Sequence, residues 1–116
     1  MPQKKYIELT DIIIEMRETK ARLNTASKEI FPLAKKKAET ERAYRIALRQ
    51  EKLKLKTEGM PITLINDIAK GNEHIATLRL ERDIANDMYK AGLESMRTTQ
   101  SEASILQSLS KYTDEV

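Results

Sequence analysis

The sequence lacks several residue types on which common functions depend. It contains no cysteine and one histidine, His74, which excludes disulfides and thiolate metal sites and leaves almost no nucleophile–base pair. Aromatic residues make up 4% of the chain and tryptophan is absent, so few bulky rings are available for a large globular core. With only three glycines and three prolines, few positions interrupt regular structure. These absences favour long helices or a coiled coil over a compact enzyme.

Motifs for phosphate binding, dinucleotide binding, zinc hydrolysis and serine hydrolysis are also missing. His74 lies beside Glu73 at a predicted helix start, where a solvated or turn-capping role is expected. Asp83 and Asp87 stand one helical turn apart, but no Glu-x-x-His unit accompanies them, and nearby cations can pair with them. These cations are Arg79, Arg82 and Lys90. We therefore expect no catalytic, cofactor-binding or metal-binding residues, no small-molecule substrate and no enzymatic activity.

Long hydrophobic runs are absent as well. The first residues, Met-Pro-Gln-Lys-Lys-Tyr, are not followed by an extended apolar segment, and Ile12–Ile14 is only three residues long. A signal peptide or a membrane span needs a much longer apolar stretch. We expect a cytoplasmic protein that does not bind membranes.

A break near the middle of the chain is the most informative feature present. The segment Glu58-Gly59-Met60-Pro61 separates two long charged segments of helical pattern. Gly59 suits the left-handed residue after a helix end, and Pro61 can open a new first turn. The chain is therefore predicted to be all-α, an antiparallel helical hairpin or coiled coil within a single domain, residues 1–116.

The outgoing arm carries one apolar stripe. Residues 1–9 are predicted to be a short arm, and Leu9, Met16, Leu23 and Ile30 then recur every seven residues. Pro32 falls inside this pattern, where a proline ring removes a backbone donor and crowds the preceding turn. We expect a kink or a break near residues 27–31, which divides the arm into helices 10–30 and 33–57.

The return arm begins with a short helix. Residues 62–70 are predicted to fold over the tip of the hairpin, Gly71 to end that helix, and Asn72 to cap a long helix over 73–110. Residues 112–116 are expected to fray. The predicted seam of the long helix is Ile75, Leu78, Ala85, Met88 or Tyr89, Gly92, Met96, Ala103, Leu106 and Leu109.

Charge is distributed unevenly between the two halves. Residues 1–58 carry 15 Lys and Arg against 9 Asp and Glu, whereas residues 59–116 carry 6 against 9. Opposite net charges favour two arms that lie side by side, although each face could equally be a solvated surface. The apolar content of residues 10–30 and 95–110 further suggests a second layer, which homodimerisation would supply.

Two stretches are candidate contact surfaces. The first is a basic run in the outgoing arm, which could contact nucleic acid or an acidic partner, or could be a solvated coiled-coil flank. Tyr44 is the one ring inside it, which makes base stacking poor. The candidate contacts are Lys35, Lys36, Lys37, Arg42, Arg45 and Arg49.

The second stretch is the tip, which is unusually apolar for a connection between helices. An exposed apolar patch tends to mark an interaction site. The predicted protein-binding residues are Ile62, Leu64, Ile65 and Ile68.

Residues 57–89 carry the string E-G-x-P-x-T-L-I-x-D-x-A-x-G and its continuation to Tyr89. In this segment the chain resembles small phage and prophage accessory proteins of Gram-positive bacteria. The resemblance spans about residues 40–110 and implies a protein expressed in the host cytoplasm, with no catalytic residues to transfer. It implies either assistance to phage replication or recombination, or inhibition of a host defence such as CRISPR immunity. A structural coiled-coil spacer is the remaining alternative.

Overall fold

The computed structural model of the chain describes residues 8–114, which form three helices and no strand. Helix α1 spans Leu9–Thr57, α2 spans Ile62–Gly71 and α3 spans Glu73–Asp114. This confirms the predicted all-α helical hairpin with a short helix at its tip. Most of the predicted N-terminal arm lies outside the described residues.

The contacts between α1 and α3 run in opposite order along the two helices. Lys37 of α1 lies over the ring of Tyr89, and Tyr44, two turns further along α1, lies under Arg82 of α3. Towards the other ends of the helices, Arg22 of α1 reaches Glu102 of α3. A later residue on α1 therefore meets an earlier residue on α3, as an antiparallel hairpin requires.

The seam between the two helices follows a spacing of three and four residues. Such spacing keeps one stripe of each helix facing its partner. The seam includes three buried threonines, Thr19, Thr40 and Thr99, alongside the apolar side chains. The sequence leaves open whether Met88 or Tyr89 belongs to the seam. In the structure Tyr89 is half-buried in the seam, whereas Met88 is exposed. Buried or half-buried seam positions include Ile12, Met16, Leu23, Ala26, Leu33, Tyr44 and Ala47 on α1, and Ile75, Leu78, Arg82, Ala85, Met96, Ala103 and Leu106 on α3.

The buried threonines have satisfied hydroxyl groups. Thr40 Oγ1 donates to the carbonyl oxygen of Lys36 at 2.9 Å, and Thr99 Oγ1 donates to that of Ser95 at 3.0 Å. Thr19 Oγ1 accepts from Arg22 Nη2 at 3.1 Å. The seam therefore tolerates polar residues because their own helix provides the hydrogen-bond partners.

Helix α1 continues through Pro32, so the predicted break of the outgoing arm into two helices is wrong. A proline removes one intrahelical hydrogen bond, at a cost of about 3 kcal/mol in a helix interior. The turns before and after Pro32 contribute half-buried seam residues, Ile30 and Leu33, which holds the helical path on both sides. A bend within the continuous helix stays a prediction.

The ends of the other helices lie close to their predicted positions. Helix α2 extends one residue beyond the prediction, to Gly71. Helix α3 continues to Asp114, so residues 112–114 are helical rather than frayed. Residues 115–116 lie outside the described part of the chain.

A Schellman turn ends α1. Gly59 adopts a φ of 85°, the left-handed conformation that glycine tolerates best. The Met60 amide donates to the Leu55 carbonyl at 3.0 Å, and the Gly59 amide donates to the Lys56 carbonyl at 3.1 Å. Met60 also packs against the cluster that contains Leu55, which is the apolar contact that accompanies this motif. The predicted role of Gly59 is confirmed. Pro61 occupies the N-cap position, one residue before α2 begins, and is not the first residue of the helix as predicted.

Asn72 separates α2 from α3. Its extended backbone, with ψ at 132°, interrupts the helix. Its side-chain Oδ1 accepts hydrogen bonds from the amides of His74 at 3.0 Å and Ile75 at 3.3 Å. Asn72 is thus the N-cap of α3, as the sequence predicted.

The packed helices form two compact units. The first contains residues 1–30 and 92–116, and the second contains residues 31–91. The first unit is a pair of helix segments from α1 and α3. The second unit contains the remaining segments together with α2, and all of the candidate contact residues named above lie within it.

Candidate protein-interaction site at the tip

A small core holds α2 against the end of α1. Leu55, Ile65 and Ala69 are buried together, and Leu48 and Met60 pack against them. Ile65 is only 9% exposed, so it belongs mainly to this core and offers little surface to a partner. The sequence prediction for Ile65 is corrected, because α2 must bury one face to pack on α1 and Ile65 and Ala69, four residues apart, lie on that face.

The other predicted tip residues are exposed. Ile62 is 79% exposed, Leu64 48% and Ile68 39%. Leu53 on the last turns of α1 is also exposed and adds a fourth apolar side chain. We call these four residues the apolar tip: Leu53, Ile62, Leu64 and Ile68. Leu53 and Ile62 line one groove, whereas Leu64 and Ile68, four residues apart, lie together on another side of α2. Exposed apolar side chains that cluster in this way are typical of a contact surface.

Cations border the apolar tip. A shallow groove between α1 and α2 is lined by Leu53, Ile62, Ile65 and Asn66, together with Arg49, Lys52 and Lys56. The lining contains three cations and no carboxylate. The groove therefore joins an apolar floor to a positively charged edge, a combination that suits a ligand with apolar and acidic groups side by side.

The same cations continue along α1 as a stripe. Arg42, Arg45, Arg49, Lys52 and Lys56 follow one another at spacings of three and four residues, which places them on one face of the helix. We call these five residues the basic stripe. Arg45 is neutralised in part by Glu41, whose Oε1 lies 2.6 Å from Arg45 Nε. Within the described residues, Arg42 and Arg49 form no ion pair and so present free charge.

The predicted lysine cluster does not form one surface. Lys35 pairs with Glu39 at 3.8 Å, and Lys37 Nζ lies 4.9 Å from the centroid of the Tyr89 ring. Lys36 is exposed and has no ion pair among residues 8–114. Three consecutive residues on a helix point in different directions, which is why their run in the sequence does not become a patch.

Arg82 and Tyr44 occupy the seam beneath the stripe. Tyr44 is buried, and the Arg82 guanidinium carbon lies 4.4 Å from its ring centroid. Hydrogen bonds to Asp83 raise the pKa of Arg82, attraction to Asp83 and Glu41 also raises it, and burial opposes them. The buried ring of Tyr44 is unavailable for stacking on a base, which weakens the case for single-stranded nucleic acid on this face.

Groups that could perform chemistry are dispersed. His74 is exposed, and Asp83 is paired with Arg82, whose Nη2 lies 2.9 Å from Asp83 Oδ1. Within residues 8–114, no three His, Asp or Glu side chains are grouped so that they could hold a metal ion. None of the described helices is both long enough and apolar enough to span a bilayer.

No protein-family model, curated protein or solved structure matches this chain. Its function is therefore inferred from its own surface chemistry.

Two residues of the site carry little signal in the sequence. Leu53 belongs to none of the predicted surfaces, and Arg82 is predicted only as a partner for Asp83 and Asp87. The spacing of Arg42, Arg45, Arg49, Lys52 and Lys56 was available in the sequence and would have separated this stripe from Lys35–Lys37. The pairing of Arg82 with Tyr44 depends on the register of two distant segments and leaves no local signal.

Proposed function

We propose that this chain is a non-enzymatic interaction protein that binds a partner protein through its tip. The observation that carries the proposal is the exposure of Ile62 and Leu53 in a groove edged by Arg49, Lys52 and Lys56, with Leu64 exposed on another side of the same short helix. The underlying core of Leu55, Ile65 and Ala69 fixes α2 in place, so the surface is held ready before a partner arrives.

The groove favours a partner segment of particular chemistry. An amphipathic helix binds a groove by inserting apolar side chains spaced at one helical turn. Acidic residues beside those side chains would meet the cations at the edge, which speeds association and selects against basic partners. We therefore propose that the partner presents an acidic amphipathic helix.

The experiment compares two matched double variants by affinity capture from bacterial lysate, followed by mass spectrometry. Ile62→Ser with Leu64→Ser removes two exposed apolar residues at the tip. Leu80→Ser with Ile84→Ser removes another exposed apolar pair on α3, 59% and 50% exposed, that does not line the groove. We expect the unaltered chain and the α3 variant to capture a protein that the tip variant does not capture.

Circular dichroism must first show that both variants keep their helical content. A captured protein that binds the tip variant as well as the unaltered chain would overturn the proposal. A protein lost equally by both variants would contradict it too, since general apolar adhesion, and not the tip, would then account for capture.

The alternative is nucleic-acid binding along α1, through the basic stripe and through Lys36 on another face of the same helix. The observation in its favour is that Arg42 and Arg49, together with Lys36, have free charge among the described residues. Binding of labelled duplex DNA and RNA should then fall steeply with salt, because each neutralised phosphate releases counterions. Reversal of Lys36, Arg42 and Arg49 to Glu should remove it, whereas affinity that is flat with salt excludes this function.

The biological setting of the tip proposal comes from the resemblance of residues 57–89. On that ground we propose a phage accessory protein acting in the host cytoplasm, whose partner belongs to a bacterial defence system, in the manner of an anti-CRISPR inhibitor. Supplementing a reconstituted CRISPR nuclease reaction with the purified chain tests this setting. Unchanged cleavage by representative nucleases would remove the ground for it and leave the tip proposal standing.

A further inference from the structure

The two flanks of the first unit differ in charge. One flank is a groove between α1 and α3 with an apolar floor that includes Met16, Leu23 and Ala103. Arg17 and Lys20 line it, and it contains no acidic residue. Ile13, exposed at 40%, belongs to the same groove. We call this the cationic flank.

The opposite flank is acidic. Glu15 and Glu18 of α1 line it together with Ile105 of α3, which is exposed. Arg22 is the one cation that lines it, and its Nη2 is already paired with Glu102 Oε2 at 2.9 Å. Asp11 and the exposed Ile14 extend the same side towards the start of α1. We call this the acidic flank.

The unit between these flanks has a thin core. Among its described residues, the buried side chains are Ile12, Thr19, Thr99 and Leu106, and two of these four are threonines. A pair of helices leaves a flank of each helix uncovered, whereas four helices enclose a common core. Another pair of helices packed on a flank would therefore add apolar burial to this unit.

We propose that a second copy of this chain supplies that pair, with the cationic flank of one copy packed on the acidic flank of the next. Arg17 and Lys20 of one copy would face Glu15 and Glu18 of its neighbour, and Ile13 would meet the apolar surface around Ile105. Charge complementarity selects this occupant, because one chain carries both halves of the match on opposite sides of a single unit.

The mode of association follows from the same arrangement. A two-fold dimer would place cationic flank on cationic flank or acidic flank on acidic flank, and like charges would face each other. Cationic-on-acidic packing is heterologous, so each added copy leaves one flank of each sign uncovered. The assembly therefore grows with concentration or closes into a ring instead of stopping at a symmetric dimer. This inference concerns the first unit and is independent of the tip proposal.

Sedimentation velocity over a range of protein concentrations tests the proposal with two full-length charge-reversal variants. Arg17→Glu with Lys20→Glu makes both flanks acidic, and Glu15→Lys with Glu18→Lys makes both flanks basic. Each variant alone should sediment as a monomer at concentrations at which the unaltered chain forms larger species. A control, Lys28→Glu with Lys90→Glu, makes the same change in net charge as Arg17→Glu with Lys20→Glu, at exposed positions that do not line either flank, and should assemble normally.

The decisive measurement mixes the two variants in equal amounts. Each variant then offers the flank that the other lacks, so assembly should return to the level of the unaltered chain and should weaken as salt is added. A monomeric unaltered chain would overturn the proposal. It would equally be overturned if either variant kept a stable dimer alone, or if the mixture stayed monomeric while both variants retained their helical content.

Discussion

The guanidinium group of Arg82 lies over the buried ring of Tyr44, with 4.4 Å between the guanidinium carbon and the ring centroid. The same guanidinium reaches Asp83 on its own helix and, at 3.6 Å, Glu41 on the facing helix. Arg82 is only half-buried, so its stem packs in the seam while its charge remains partly hydrated. One side chain thus joins α1 and α3 by an aromatic and an ionic contact.

Replacing Arg82 with Met should therefore destabilise the protein while preserving most of the packing of the stem. We expect a loss of about 1–2 kcal/mol, since a partly desolvated cation–π contact and an ion pair are both removed. A double-mutant cycle in urea with Tyr44→Leu should give a coupling energy of about 1 kcal/mol. Arg79→Met, at an exposed position one turn away, is the control and should change stability by less than about 0.5 kcal/mol. Independent effects of Arg82 and Tyr44 would contradict this assignment.

Two isoleucines of α2 should respond differently to the same substitution. Ile65→Ala opens a cavity in the tip core and should lower the free energy of unfolding by about 2 kcal/mol or more. Ile62→Ala removes an exposed side chain and should change it by less than about 0.5 kcal/mol. Chemical denaturation followed by circular dichroism measures both. Equal effects would show that Ile65 does not hold α2 against α1.

Replacing either of two glycines with alanine should change the free energy of unfolding, but in opposite directions. At Gly59 a Cβ meets no atom within 4 Å, but the φ of 85° remains strained for alanine, so Gly59→Ala should cost about 1 kcal/mol. At Gly71 the space is also open and the backbone is helical, so Gly71→Ala should gain about 0.5 kcal/mol. Thermal unfolding of the two variants checks the pair. A stabilised Gly59→Ala variant would be incompatible with a left-handed residue at the end of α1.

Replacing Pro32 with Ala should stabilise the continuous helix α1. Alanine restores the missing amide donor and relieves crowding of the preceding turn, which together are worth about 3 kcal/mol in a helix interior. Alanine also leaves the unfolded chain more conformational freedom than proline does, which offsets about 1 kcal/mol of this stabilisation. The expected net gain in the free energy of unfolding is therefore about 2 kcal/mol. A higher melting temperature with greater helical signal is the expected result. A lower melting temperature would mean that seam packing requires a bend at Pro32.

The connections of the fold were predictable because their signals are local. Gly59 and Asn72 act through backbone conformation and a side chain that caps the next turn, so a few neighbouring residues determine their roles. Pro32 predicts a break because its penalty is local, whereas α1 continues through it with seam residues on both sides. Propensity at one residue is overridden when packing along a long helix favours the opposite outcome.

The surface was harder to predict than the connections. Ile62, Leu64, Ile65 and Ile68 look equivalent in sequence, and only the docking of α2 on α1 distinguishes the buried Ile65 from the other three. Likewise, the position of Arg82 in the seam depends on antiparallel register, which couples residues far apart in the chain. Burial of individual side chains is a property of packed pairs of elements, and a single segment does not encode it.

The Schellman turn at Gly59 also leads us to expect a particular order of folding. It gathers Leu55, Met60 and Ile65 from one short stretch of chain, so their contact closes a small loop at little entropic cost. The contact between Tyr44 and Arg82 closes a larger loop, and that between Ser27 and Met96, 69 residues apart, a larger one still. Once the turn has formed, each pair shortens the loop that the next must close. We therefore expect folding to proceed outward from the turn. The backbone amides of α1 and α3 that lie farthest from the turn should be the last to gain protection from hydrogen exchange during folding and the first to lose it during unfolding.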